Sequence, residues 1–372
     1  MVRDKSLLGS WFDNYETLID SNCVKSNAVR SVFTSDNYFI KYDRPLKYLQ
    51  RLRSLIYPKV KQEFETALEL ESAGIPIVKY LGWGNYGSKG MVVSEAFPNA
   101  VDLSSYWFSE IVEGQGDKIT FLSYLTPFLK VFFESSFYHP DFHLGNILFD
   151  PIGNNLALVD VYGIKAIKKM GDSQKYDKYK ILFSLRDELN DAEIIDLIIK
   201  TGITDNIVDA ANYWQKMQVT ESSKVNRFWL KRRKQILAGN DKYVTNSNSG
   251  MRLRNNLARQ PICSEKGLMY LDKEMYTVEK GLQVWLNSFK LQFYAVAHVR
   301  PVALEIYQNA ATIYFEDKEN DGTDFAKVEE FTNRCNIAGV KTDSFPDNLR
   351  CINGKLYLSI EALEEDQLFI NK

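Results

Sequence analysis

The stretch Phe137-Tyr138-His139-Pro140-Asp141-Phe142-His143-Leu144-Gly145-Asn146-Ile147-Leu148-Phe149-Asp150 decides how the rest of the chain is read. It has the form H-x-D-x-x-x-x-N followed by an apolar run. Downstream, Leu158-Val159-Asp160-Val161-Tyr162-Gly163 is a strand-like run ending in D-x-x-G. Phosphoryl transfer from ATP needs a carboxylate beside the acceptor hydroxyl and oxygen ligands for magnesium. On this reading Asp141 orients the acceptor and takes its proton. Asn146 reaches back across the loop to a magnesium ion, and Asp160 holds magnesium against the ATP phosphates. A lone D-x-x-x-x-N is weak, because a solvated turn capped by Asp and Asn also produces it. Two such elements in order are far more specific.

Composition narrows the class. A chain of 372 residues with 45% hydrophobic content has room for a large bilobal domain or two domains. A formal charge of −2 gives no global basic field, so no nucleic-acid partner is expected. No apolar run is long enough to span a bilayer, and the first residues lack a signal-peptide core. Cys23, Cys263, Cys335 and Cys351 are scattered, which suits reduced thiols in the cytoplasm.

Working outward, residues 1–24 read as a short amphipathic segment carrying Trp11, Phe12, Tyr15 and Leu18. Residues 29–42 read as a β-hairpin turning at Ser35-Asp36-Asn37. Its alternation puts Phe39 and Lys41 on one face and Tyr38, Ile40 and Tyr42 on the other. No G-x-G-x-x-G precedes it. Pro58 opens a helix that Gly74 ends. Glu63 falls on the inward side of that helix, where a carboxylate is costly unless paired. Lys41 is its natural partner and an expected ATP-phosphate contact, whereas Glu65 points elsewhere. Met91 to Phe97 is a strand leading to a hinge, where the backbone of Glu95 to Phe97 is expected to hydrogen-bond adenine. Leu103–Val112 and Phe121–Phe137 are expected helices, as is Asp177–Leu189.

The order of these parts resembles the bacterial lipopolysaccharide core kinases, the heptose and Kdo kinases, over about residues 25–240. His143 stands two after Asp141, where protein kinases carry lysine. The G-I-P turn at Gly74-Ile75-Pro76 is similar to that family's, and no A-P-E follows Asp160. Proline replaces the arginine of H-R-D, and Val-Tyr-Gly follows Asp160. The resemblance implies Lys41 and Glu63 as the ATP-positioning pair, Glu95 and Phe97 at the adenine, Asp141 as base, and Asn146 and Asp160 as magnesium ligands. It implies an ATP- and Mg2+-dependent kinase phosphorylating a sugar hydroxyl of a lipopolysaccharide inner core. The competing readings are a pseudokinase scaffold and a soluble kinase of the aminoglycoside or choline type.

The basic run Ile164 to Lys169 suits an anionic sugar or glycolipid acceptor, or a loop of solvated lysines. A second basic run, Lys224 to Lys234, mixes Arg227, Arg232 and Arg233 with Phe228 and Trp229. It suits peripheral contact with the anionic inner face of the cytoplasmic membrane, or an ordinary amphipathic surface helix. Gly239 to Gly250 reads as a linker.

The expected fold is α+β: a bilobal protein-kinase-like fold with lobes at 1–98 and 99–240, then a smaller α+β region at 251–372. That region reads as a degenerate kinase-like repeat. Val299-Arg300-Pro301 echoes Gly74-Ile75-Pro76, and Thr312–Glu316 echoes the strand ending in Glu95. Asp343 and Asn348 echo Asp141 and Asn146, and Ile360 stands where the metal aspartate would be. An unrelated α+β domain is the alternative.

Overall fold

The computed structural model describes residues 23–372 except 36, 113, 115, 187, 248, 257–259, 265, 295, 317–327, 343, 344, 346, 353, 354, 365–367 and 370–372. The segment expected over 1–24 lies almost wholly outside the described residues, and so does Asp343. The chain is a mixture of helices and strands in two compact units, Met1–Tyr213 and Trp214–Lys372.

The first unit opens with β1 (Cys23–Ser26), β2 (Arg30–Ser35) and β3 (Tyr38–Asp43), followed by α1 (Tyr48–Ile56) and α2 (Lys59–Ser72). Then come β4 (Tyr80–Tyr86) and β5 (Lys89–Glu95), and the antiparallel sheet has the order β1-β2-β3-β5-β4. The alternation in β3 buries Ile40 and Tyr42 and turns Lys41 to the other face. Pro58, with φ −62°, is the cap of α2, as its fixed ring angle allows. Val60, Phe64, Ala67 and Leu70 of α2 are buried, and each large apolar side chain so buried contributes about 1.5–3 kcal/mol. The helix stops where Gly74 takes φ +74°, which a Cβ would disfavour.

The rest of this unit starts with β6 (Val101–Asp102) and α3 (Leu103–Tyr106), which runs on as a wider-wound turn through Val112. α4 (Lys118–Glu134) begins at Asp117, whose carboxylate accepts from the N–H groups of Ile119 and Thr120. It buries Phe121, Leu125, Phe128, Leu129 and Phe132. β7 (Phe137–Tyr138) leads into the H-x-D-x-x-x-x-N loop, and β8 (Ile147–Asp150) pairs with β9 (Asn155–Leu158) as a hairpin beneath it. Then follow β10 (Lys165–Ala166), α5 (Asp172–Tyr179) and α6 (Asp191–Lys200). The helix expected over 177–189 is instead the end of α5 and a tighter turn, Lys180–Leu185. A parallel bridge from Ile77 to Leu158 ties the segment after α2 to this hairpin. Val78 N donates to Leu158 O at 3.2 Å, and Leu158 N donates to Pro76 O at 2.9 Å.

The division between the units falls inside α7 (Ile207–Leu237), well before the expected boundary near 240. The reason is packing: Val225, Trp229 and Ile236 of α7 join the core of the second unit. The stretch read as a linker contains β11 (Val244–Asn246), with Tyr243 and Val244 buried in the same core. It pairs with β12 (Arg252–Arg254), so the Asn, Ser and Gly residues there serve a hairpin and not a free tether.

The second unit continues with β13 (Lys273–Thr277), α8 (Val278–Phe293), β14 (Pro301–Tyr307), β15 (Ala310–Phe315), α9 (Val328–Ala338), β16 (Leu349–Ile352) and β17 (Lys355–Leu358). Its sheet order is β11-β12-β14-β15-β13. Backbone bonds of the first unit recur here. Val299 N donates to Leu358 O, Leu358 N to Ala297 O, Glu316 N to Arg300 O, and Ser359 N to Asn348 O. Their counterparts are Val78 to Leu158, Leu158 to Pro76, Glu95 to Lys79, and Val159 to Asn146. These bonds set Ala297, not Pro301, at the place of Pro76; Pro301 stands at that of Tyr80. β4–β5 and β14–β15 even share a bulge, between Tyr80 and Gly82 and between Pro301 and Ala303.

Candidate active site

Lys41, on the face of β3 opposite Ile40 and Tyr42, reaches Glu63 of α2: Nζ to Oε1 is 2.6 Å. The Glu63 side chain is fully buried, and Tyr80 of β4 donates its hydroxyl to the same oxygen at 3.0 Å. Arg30 of β2 takes the other oxygen at 3.1 Å and grips Asp43 through two bonds. Burial alone would raise the Glu63 pKa, but Lys41 and Arg30 overcome it and hold the carboxylate ionised. Burial likewise works against the Lys41 charge, and Glu63 reverses it, leaving the ammonium more basic than usual.

The D-x-x-G segment comes to this pair. Asp160 Oδ1 lies 3.4 Å from Lys41 Nζ and 4.0 Å from Arg30. Asp160 has φ +54°, a left-handed backbone that few non-glycine residues adopt and one that recurs at functional sites. Its side chain is 57% exposed, so its oxygens face solvent. Burial raises its pKa somewhat, but Lys41 and Arg30 bring it below the ordinary carboxylate value.

The loop from His139 to Asn146 is held from within. Phe142 is buried against Phe132 of α4, with ring centroids 4.5 Å apart. The Asp141 N–H donates to His139 Nδ1 at 3.0 Å, and Asn146 Nδ2 donates to Asp141 O at 2.7 Å. This leaves the Asn146 amide oxygen as the atom it can offer a metal. His139 is buried, which pushes its pKa down to about 4, against the opposing pull of Asp160 and Asp141. A neutral ring is what an accepting Nδ1 requires. His139 thus feels both carboxylates, one from each motif. Asp141 keeps an exposed carboxylate, 3.7 Å from His143 Nε2.

Two functional candidates escaped the sequence reading. Lys180, just past α5, donates to Pro140 O at 2.9 Å and to Asp141 Oδ1 at 3.2 Å. Burial raises the Asp141 pKa, and the Lys180 cation more than offsets this. Nothing in the local pattern marks Lys180, since its partner lies far back in the chain. Arg30 was legible only as the first residue of a strand.

The expected adenine contacts are only partly available. The N–H groups of Glu95 and Ala96 donate to Lys79 O and Asn37 O, so neither can serve adenine as a donor. The Glu95 side chain pairs with Lys79 at 2.6 Å on the surface. Phe97, next along, makes no backbone N–H bond of this kind among the described residues. The basic segment is better placed: β10 pairs with β7, setting Lys165 opposite Tyr138 at the entrance of the loop.

For magnesium, the donor set is one exposed carboxylate and one amide oxygen. That suits a hard cation that keeps waters and takes the remaining oxygens from ATP phosphates. Among the described residues no group of three or more His, Cys, Asp and Glu forms a separate metal cluster.

No protein-family model matches the chain, and no curated protein matches its sequence. A solved structure described as "Co-crystal structure of WbdD and kinase inhibitor LY294002" is similar at 18% identity and a TM-score of 0.30. The match covers 49% of this chain and 45% of that one, so less than half of that protein's length has a counterpart here. A likeness of this size carries no argument about fold or activity. No described helix is long and apolar enough to cross a membrane.

Proposed function

We propose that the first unit is a bilobal, protein-kinase-like phosphotransferase that moves the γ-phosphoryl group of ATP to a sugar hydroxyl, with lipopolysaccharide inner core as the acceptor class. The observation that carries this reading is the meeting of Lys41, Glu63 and Asp160, three residues from separate elements, at 2.6 Å and 3.4 Å. A structural ion pair would not need a third, solvent-facing carboxylate on a left-handed backbone.

In this mechanism Glu63, fixed by Arg30 and Tyr80, aims Lys41 at the α- and β-phosphates. Asn146 and Asp160 would hold magnesium, which would supply neutralisation of the phosphate charge. Asp141 accepts the hydroxyl proton as the acceptor oxygen bonds to the γ-phosphorus and the bridging oxygen leaves with ADP. Lys180 keeps Asp141 oriented and ionised. Phe97 N–H donates to adenine, and the Glu95 carbonyl is the acceptor for its amino group. Lys165 and Lys168, both exposed, meet an anionic acceptor. The second unit is a degenerate copy of this kinase-like scaffold without phosphotransfer.

The test is transfer of labelled γ-phosphate from ATP to lipid A–core oligosaccharide. Asp141→Asn is expected to lower turnover by about 10²–10⁴-fold and to leave ATP affinity nearly unchanged. Unchanged turnover in that variant would remove Asp141 as the base.

A further inference from the structure

The helix α1 is turned inside out. At 3.6 residues per turn, Tyr48, Leu49, Leu52, Leu55 and Ile56 fall on one arc of about 120°, with Arg51 and Arg53 on its two borders. A surface helix ordinarily buries such an arc, yet no residue of α1 is buried. Leu49 is 77% exposed and Ile56 75%, and Tyr57, which ends the helix, is 66% exposed. The opposite, polar side meets the protein: the Ser54 hydroxyl donates to Ser88 O at the β4–β5 turn. Sequence chemistry around the face is one-sided. Between Asp43 and Glu63 there are six cations, Arg44, Lys47, Arg51, Arg53, Lys59 and Lys61, and no carboxylate, in a chain whose formal charge is −2.

We infer that α1 is a docking face for an anionic lipid surface, lying flat in the headgroup region with its apolar arc down and its flanking cations on the phosphates. An apolar arc bordered by cations is the chemistry that binds such an interface. A second copy of this chain fits poorly, since a symmetric contact through α1 would set the cations against one another. The surface belongs to the first unit and is separate from the Lys224–Lys234 run. It stands whether or not the unit transfers phosphate.

The experiment is co-sedimentation of the full-length protein, without nucleotide, with vesicles of phosphatidylcholine alone or mixed equally with phosphatidylglycerol. Wild type pellets with the mixed vesicles and is released as salt rises. Arg51→Ala/Arg53→Ala lowers the partition coefficient by about 25-fold, about fivefold for each cation removed. Leu49→Glu/Ile56→Glu, both at exposed positions, abolishes binding with unchanged thermal unfolding. Wild type left in the supernatant overturns the proposal, the face then being covered by residues 1–22 or by a protein. Equal binding to both vesicle types overturns the role of charge. Undiminished binding of Leu49→Glu/Ile56→Glu places any lipid contact elsewhere.

Discussion

The two units share a set of backbone bonds and carry different residues at several of the positions that those bonds bring into correspondence. Lys41 of β3 stands opposite Val92 of β5; the register of β13 on β15 puts Glu274 opposite Ile313, the residue at the place of Val92. The helix ends align through Ile75 N to Leu70 O and Val296 N to Leu291 O, which sets Val284 at the position of Glu63. Pro301 replaces Tyr80, and Ile360 follows Ser359 where Asp160 follows Val159. The buried carboxylate, its lysine, its tyrosine and the aspartate of the D-x-x-G segment therefore have no counterparts at these four positions. For Glu63 and Lys41 such joint absence is expected physically, because a buried charge is costly without its partner. The second unit buries a different cation, Arg254, whose guanidinium lies 4.0 Å over the Phe289 ring and donates to Ser288, Gln292 and Pro301. Its acceptors there are the neutral oxygens of a hydroxyl, an amide and a carbonyl.

This contrast can be broken most forcefully at Glu63. Glu63→Ala leaves Lys41 and Arg30 without their shared buried partner and is expected to destabilise the first unit by about 3–5 kcal/mol. Calorimetry of the full chain should show the transition of the first unit moving down while that of the second stays in place. Two transitions moving together would mean that the ion cluster is not specific to the first unit.

A smaller effect comes from pH. Folded His139 binds its proton only at about 4, below the ordinary value of 6.5. The unfolded chain therefore takes up that proton first as pH falls. The stability that neutral His139 contributes is complete above about 6.5 and is lost between there and 4, by an amount on the order of 3 kcal/mol. Denaturant titrations across this range should show His139→Asn with a shallower pH dependence; an identical slope would remove His139 as the source.

Lys180 sharpens the comparison on the kinetic side. Lys180→Ala is expected to lower kcat by about 100-fold with little change in the KM for ATP, and Lys180→Arg to recover part of the loss. The acid limb of the rate profile should also move up, because Asp141 loses the cation that keeps its pKa low. Kinetics equal to wild type would leave Lys180 a merely structural contact.

The loop and the D-x-x-G strand were legible because their chemistry is encoded by short spacing. Asp141 and Asn146 sit five apart, the apolar run of β8 follows its motif at once, and that of β9 leads into D-x-x-G. Lys41 and Glu63 could be matched because alternation in β3 and periodicity in α2 each fix a face. Lys180 and Arg30 could not, since they act through partners brought near only by folding. The order of elements in the second unit suggested a match of Pro301 with Pro76, whereas the backbone bonds put Ala297 at that place. The linker was misread because Asn, Ser and Gly mark both tethers and hairpin turns.

Asp160 is the proposed metal ligand beside Lys41, and Ile360 stands at its place in the second unit. The most direct test is the thermal shift produced by ATP with and without magnesium in wild type and Asp160→Asn. Wild type is expected to gain stability from ATP only when magnesium is present, and the variant to lose that magnesium-dependent gain. If magnesium raises the ATP-bound melting temperature equally in both proteins, Asp160 is not a ligand and the assignment of the first unit as a kinase fails.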